Sequence, residues 1–395
     1  MTKLLEPEAE ARPVARVAIL QRIVPHYRVA FFDRLRTSLA AQGIRLDLYA
    51  GAPRPEEAFE DCRHLLPWAT PVRNRYLPAG LYYQPGWTRL LSYDVVVMEH
   101  ANAPLANHLL LVSRLAARRP ARLFFWGHGD DFQNQGRAHL QRGIKACYAR
   151  FADHWLAYTE ASRERLLRLG LPSDRITVVN NAIDTSGAIR RDELSEDERR
   201  AIRAGVGLGD GPLAVFCSRL HEGKQIPFLI EACRLVHSRM PEFQLLILGD
   251  GPLMSWLRQV SAGEGWIRIV GTRYGAEKWR LLAASDLMLM PAHIGLSILD
   301  GFAAGLPVLS AHFDNHSPEV AYLKNGVNGF LTDRTPEAFA RAVIEICSSL
   351  ELMRRMSLAA AATAYSRSLP MMVSSFEAGL QRVLLSTPLP SESTA

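Results

Sequence analysis

The chain predicts an α/β protein built from two doubly wound, Rossmann-like domains that face each other across a cleft. Three observations lead there. Its 395 residues exceed what a single core usually organises. Short β-branched or aromatic runs alternate with longer segments of helical period, the pattern of parallel sheets with crossover helices. The alternation stops at a charged stretch, "SGAIRRDELSEDERRAIRAGVGLGDG", and resumes beyond it.

The first series places strands at Val17–Arg22, Leu46–Ala50, Val95–Met98, Arg122–Trp126, His154–Tyr158 and Ile176–Val179. The second places them at Leu213–Cys217, Gln244–Leu248, Ile267–Val270, Leu287–Met290 and Pro307–Ser310, with helices such as Ile226–Met240 and Glu277–Ala284 between. The expected domains are 14–188 and 211–367, joined by a linker at 189–210. A last helix, at about 368–386, is expected to cross back onto the first domain. In open parallel sheets ligands sit beyond the strand carboxyl ends, so two facing sheets make a natural two-substrate cleft.

Composition narrows the chemistry. The sequence is 48% hydrophobic and 22% charged, with a formal net charge of +6, which favours anionic partners. No run combines stacking aromatics with base-reading spacing, so nucleic acid is not expected as a partner. Five scattered cysteines (Cys62, Cys147, Cys217, Cys233, Cys347) never form a CxxC pair. That points to a reducing cytoplasm rather than a disulfide or zinc framework. Acids precede the first apolar run, unlike a secretory signal, and no apolar run is long enough to span a bilayer. The tail "STPLPSESTA" reads as disordered.

Several loops carry candidate chemistry. In "CSRLHEGKQIPFLIEA", Arg219 and Lys224 lie in a strand-to-helix loop. Two cations beside a helix N-terminus make either a diphosphate site or an ordinary solvated loop. "LLILGDGP" ends a strand in Gly249-Asp250-Gly251, a turn that allows close backbone approach to a ligand and is not the G-x-G-x-x-G dinucleotide fingerprint. Thr272, Arg273 and Tyr274 follow the next strand, at the edge where a base would be held. In "PAHIGLSILDGFAAGLP", Gly295, Leu296 and Ser297 lie beyond a strand end, and Asp300 sits one turn into the next helix. There Asp300 either accepts sugar hydroxyls or closes a Ser297-x-x-Asp300 capping box.

In the first half, "RIVPHYRVAFFDRL" puts His26, Tyr27 and Arg28 in the loop after the first strand, and "WGHG" places His128 at another strand end. Asn181 and Asp184 fall near the hinge, where Asp184 suits turn capping. Residues 53–90, with Trp68, Tyr76, Tyr82, Tyr83, Trp87, Arg63, Arg73 and Arg75, mix aromatic and basic character, as does "SRLAARRPAR". Such surfaces suit contact with an anionic membrane, or else an ordinary basic surface over an aromatic cluster.

Taken in order, "SRLHEGKQIPFLIEA", "LLILGDGP", "IVGTRYGAEKWRLLAASDLMLMPA", "IGLSILDGFAAGLPVLSA" and "SPEVAYLKNGVNGFLTD" resemble the retaining glycosyltransferases of family 4, which have the two-domain GT-B fold. The first half matches more loosely, through "IVPHYRVAFFDRL", "WGHG" and "ITVVNNAID". The resemblance implies sugar transfer from a nucleotide-diphosphate donor, UDP- or GDP-linked, with retention and with no metal or other cofactor. It implies that the catalytic groups fall on His128, Arg219 and Lys224. It places the donor at Gly249, Asp250, Gly251, Thr272, Arg273, Tyr274, His293, Gly295, Leu296, Ser297 and Asp300. The acceptor side would be His26, Tyr27 and Arg28, the acceptor lipid-linked or glycolipid, and the place of action the inner face of the cytoplasmic membrane. One departure stands out: of the family's two glutamates seven residues apart, the second falls on Asp300 and the first on Ala292, which cannot hold a sugar hydroxyl. His293 is its expected substitute. A scaffold or partner subunit that lost catalysis is the alternative.

Overall fold

A computed structural model of the chain describes residues 13–54, 57, 60–129 and 148–386. The tail expected to be disordered, the segment before the first strand and Cys147 lie outside the described residues.

The first sheet begins with β1 (Ala15–Gln21), α1 (His26–Ala40) and β2 (Ile44–Ala50). Short strands follow: β3 (Thr70–Pro71), β4 (Arg75–Tyr76) and β5 (Tyr82–Tyr83). Then come β6 (Val95–Glu99), α2 (Leu105–Ala117), β7 (Arg122–Gly127), β8 (His154–Ala157), α3 (Glu160–Arg168) and β9 (Ile176–Val178). Seven strands pair in the order β3-β2-β1-β6-β7-β8-β9, all parallel in register, and β4 with β5 forms a separate antiparallel ribbon.

The second sheet contains β10 (Leu213–Cys217), β11 (Gln244–Leu248), β12 (Ile267–Gly271), β13 (Leu287–Leu289), β14 (Val308–Ala311) and β15 (Gly329–Thr332). Its order is β12-β11-β10-β13-β14-β15, also parallel. Both sheets therefore reverse strand order beside their first strand, and a crevice opens at each reversal. Strands such as "LAVFC" are apolar throughout because helices cover both faces.

The linker is more structured than its charge suggests. α4 (Glu196–Gly205) starts on a capping box in which Ser195 Oγ accepts from the Glu198 amide at 3.3 Å and the Glu198 carboxylate accepts from the Ser195 amide at 2.8 Å. Its arginines fasten it to the second domain. Asp286, buried just ahead of β13, accepts from Arg191 at 2.8 Å, from Arg203 at 3.0 Å and from the Leu213 amide at 2.8 Å.

The second domain's helices are α5 (Ile226–Arg239), α6 (Met254–Val260), α7 (Gly275–Ala283), α8 (Ile298–Ala303), α9 (Pro336–Cys347) and α10 (Leu350–Ser366). The final helix, α11 (Leu369–Ser386), returns to pack on α1, β8 and β9. There Phe376 meets Phe31 and Trp126 with ring centroids 5.4 and 5.3 Å apart. Strand β14 begins at Val308, not at Pro307, whose nitrogen has no proton to donate to the ladder.

Candidate active site

The two carboxyl edges enclose one cleft of about 1300 Å³. The first domain contributes His26, Tyr27, Arg28, Glu99, His128 and Tyr158 to its wall. The second contributes Arg219, the 249–251 turn, Thr272–Gly275, Lys278, the 295–297 turn, Asp300 and Glu319. Fifteen of the seventeen residues anticipated for the site thus line this one space; Lys224 and His293 do not.

The 249–251 turn owes its glycines to the protein itself. A side chain on Gly249 (φ +152°) would sit 1.9 Å from the Ser218 carbonyl, and one on Gly251 (φ +153°) 2.4 Å from that of Leu220. The close approach expected toward a ligand is thus first an approach between two loops, locked by Leu220 N–H donating to the Asp250 carbonyl at 2.9 Å. This packing fixes Arg219, between those two carbonyls, at the cleft wall.

Lys224 is the first correction. It was expected beside Arg219 in the loop, but a left-handed Gln225 (φ +54°) turns the chain directly after it. Its side chain runs inward, and Nζ donates to the His293 carbonyl at 2.6 Å. Burial lowers the ammonium to about 8, well under its ordinary value. His293 is the second correction. It is itself left-handed (φ +50°), with its ring edge-on to His221 at 5.3 Å, and it does not line the cleft. Ala292 lies in the core. Neither residue therefore presents a polar side chain where the first glutamate was expected.

The capping box read at Ser297 and Asp300 does not form. Ser297 makes no side-chain cap, and its Oγ points at Met290 Sδ, 4.0 Å away. The Asp300 carboxylate instead accepts from Lys278 Nζ at 2.9 Å, within the cleft wall. Burial raises its pKa while Lys278 opposes the rise. Gly301 completes the placement: a side chain there would meet Met288 Sδ at 2.6 Å, so only glycine lets α8 lie this close on β13.

Further along the wall, Arg273 is tied to Glu277 at 2.6 Å, and Tyr274 projects with 76% exposure. Cys217 also lines the space, but burial pushes its thiol up to about 12, which leaves it protonated near neutral pH.

In the first domain, His26, Tyr27 and Arg28 occupy the first turn of α1, not a loop, because Pro25 ends the extended segment and starts the helix. His26 and Tyr27 are exposed at the cleft mouth. Arg28 is buried, with its guanidinium 4.6 Å over the Trp126 ring. His128 stands at the end of β7, edge-on to Tyr158 at 4.4 Å. Asp184 Oδ1 accepts from the Ser186 amide at 3.0 Å, the turn-capping role that its sequence suits.

Sequence reasoning missed Lys278, Tyr158, Glu99 and Glu319. Lys278 was within reach, since it follows Tyr274 by four residues at the start of α7 and so shares its helix face.

Residues 211–349 match the family described as glycosyl transferases group 1, and residues 30–186 match glycosyltransferase family 4. This chain belongs to the family 4 glycosyltransferases. Among curated relatives of this family member, the amylovoran biosynthesis glycosyltransferase AmsK of Erwinia amylovora is 26% identical over 55% of this chain and 52% of its own length. The chain therefore spans about half of that relative. A GDP-mannose-dependent α-(1-6)-phosphatidylinositol monomannoside mannosyltransferase of Mycolicibacterium smegmatis is 26% identical over 70% of this chain and 83% of its own. The crystal structure of Anabaena HepE in complex with UDP superposes with a TM-score of 0.71 at 19% identity, over 93% of this chain and 99% of that one, which establishes the GT-B fold.

Proposed function

We propose that this chain transfers a sugar from a UDP- or GDP-linked donor, with retention and without a metal, to a lipid-linked or glycolipid acceptor during cell-surface glycan synthesis. The carrying observation is the convergence of Arg219, the Gly295 turn braced by Lys224, and the Lys278–Asp300 pair in one cleft between two Rossmann-like sheets.

As the bond from the sugar's anomeric carbon to the diphosphate breaks, negative charge builds on the leaving group. Arg219, with the Lys224 ammonium held behind the turn, stabilises that charge electrostatically. Asp300 accepts the ribose hydroxyls, and Lys278 favours its ionised form. Relatives supply both nucleotide alternatives: HepE is described with UDP, and the mycobacterial mannosyltransferase by name uses GDP-mannose. That mannosyltransferase also acts on a phosphatidylinositol glycolipid, which supports a lipid acceptor here.

Of the two basic surfaces suited to membrane contact, the one around "SRLAARRPAR" fits better. In the 53–90 stretch Arg63 pairs with Asp61 at 2.7 Å, Arg54 lies 4.0 Å over the Tyr76 ring and Trp68 Nε1 donates to Asp33 at 2.7 Å, while Arg73 and Arg75 are exposed. The outward face of α2 instead exposes Leu109, Val112 and Leu115, and runs into the exposed Arg118 and Arg119 of "SRLAARRPAR". No acid occurs between His100 and Gly129. An apolar stripe ending in unopposed basic charge suits the surface of an anionic bilayer, here the inner face of the cytoplasmic membrane. Among the described residues no helix is long and apolar enough to cross one.

The second reading, a scaffold or partner subunit without catalysis, is favoured by the buried Ala292. A thermal-shift screen with UDP, GDP, ADP and dTDP, followed by donor hydrolysis with the best binder, separates the two. Nucleotide-dependent stabilisation with hydrolysis is expected; binding of none, and hydrolysis of no donor in the panel, would leave the scaffold.

A further inference from the structure

The chain crosses between the domains twice, after β9 and again where α10 gives way to α11, and the second crossing meets the first beside Asn181, at Ala182 and Arg28. The preceding Asn180 is left-handed (φ +52°), the bend that carries the chain out of the first domain. Every polar group of Asn181 is then used, half toward each domain. Its amide N–H donates to the Tyr158 carbonyl at 2.8 Å, and its Oδ1 accepts from Arg28 Nη2 at 2.5 Å, both in the first domain. Its carbonyl accepts from the Tyr322 hydroxyl at 3.0 Å, and its Nδ2 donates to Glu319 Oε1 at 2.5 Å, both in the second. The returning helix adds Met372, whose sulfur lies 3.6 Å from Arg28 Nη1 and 3.3 Å from the Ala182 amide.

Arg28, Asn181, Glu319 and Tyr322 are all less than 5% exposed. An arginine can only donate and a carboxylate only accept, so the amide between them has a single orientation. The result is a directional relay of cation, amide and carboxylate that is satisfied at one setting of the two domains. Opening the cleft would leave a buried carboxylate or amide unpaired, which low surrounding polarity penalises.

We propose that Asn181 is the pivot that sets cleft closure, acting through Arg28 and Glu319 to hold His128 of the first domain against Arg219 and Gly295 of the second. It is a positioning residue: nucleotide binding, carried by the second domain, survives its loss, whereas donor turnover, which needs both walls, does not. The turnover arm rests on the function proposed above; the arm that reads domain closure does not.

The test uses the full chain with Asn181→Ala, Asn181→Asp, Glu319→Gln and the double variant Asn181→Asp/Glu319→Gln. Small-angle scattering reads closure, titration with UDP and GDP reads the second domain, and donor hydrolysis reads both walls. Asn181→Asp sets two carboxylates against each other and should give a larger radius of gyration, nucleotide affinity within about threefold of the parent, and a turnover number lowered about tenfold or more at saturating donor. Asn181→Ala should fall between it and the parent. In the double variant an Arg–carboxylate–amide chain is restored, so compactness and turnover should return toward parental values, a rescue that general destabilisation would not produce. Glu319→Gln alone keeps the side-chain shape, and so controls for folding by its melting temperature. The pivot is overturned if Asn181→Asp scatters like the parent, if the double variant is as open as the single, or if nucleotide affinity falls in step with turnover, which would make these residues ligand contacts. A parent that hydrolyses no donor would defeat the proposed function while the scattering comparison still decides the pivot.

Discussion

The two domains share a topology but differ in how regular they are. In the second, the four connections from β10 to β14 each carry one α-helix, and the loops at the carboxyl edge are clamped to one another by main-chain bonds such as Leu220 to Asp250. In the first, the described residues of 51–94 between β2 and β6 hold only two-residue strands and 3-10 turns, and α2 leaves an apolar face uncovered. A rigid wall suits a ligand of constant chemistry, the diphosphate. A variable wall suits an acceptor and a surface that differ from one relative to the next.

That contrast is open to direct test, beginning with the largest effect. Removing the Asp286 carboxylate (Asp286→Ala) leaves Arg203 and Arg191 uncompensated against the second domain, a loss of about 3–5 kcal/mol. Denaturant unfolding should show the second domain failing first. Arg219→Ala should lower donor turnover about 10²- to 10³-fold, with vesicle binding unchanged. Asp300→Asn forfeits a charged hydrogen bond and should raise the donor KM about 10- to 100-fold, read from hydrolysis kinetics.

Substitutions on the first domain should do the reverse. Val112→Glu with Leu115→Glu should weaken flotation on phosphatidylglycerol-containing vesicles about tenfold or more while UDP and GDP affinities hold. If those affinities also collapse, the division of labour between the domains is wrong. The smallest effect is a proton. Lys224 is held near 8 by burial, and a bound diphosphate would favour its charged form, so nucleotide binding at pH 8 should take up about half a proton. At pH 6 the ammonium is already charged and uptake should vanish. Calorimetry in two buffers of different ionisation enthalpy reads this, and Lys224→Arg should abolish it.

Much of the site was legible because loops at strand carboxyl ends can be placed from strand and helix periodicity alone; Arg219, Asp250 and Gly295 follow that way. What was not legible turned on single backbone conformations. A left-handed Gln225 turns Lys224 inward, a left-handed His293 turns its ring from the cleft, and an uncapped Ser297 leaves Asp300 to Lys278. The mixed segment at 53–90 was open for another reason: only the fold shows which of its arginines are engaged, Arg63 with Asp61 and Arg54 over Tyr76, and which, Arg73 and Arg75, stay exposed.

The sequence by itself determined the two parallel sheets, the break between them and the edge where ligands meet them, because burial repeats with a period that one strand or helix carries locally. Only the tertiary structure decided which side chains face each other across that edge. Arg28, Asn181 and Glu319 lie far apart along the chain and carry no shared pattern; they become one relay only when the chain closes twice over the same hinge.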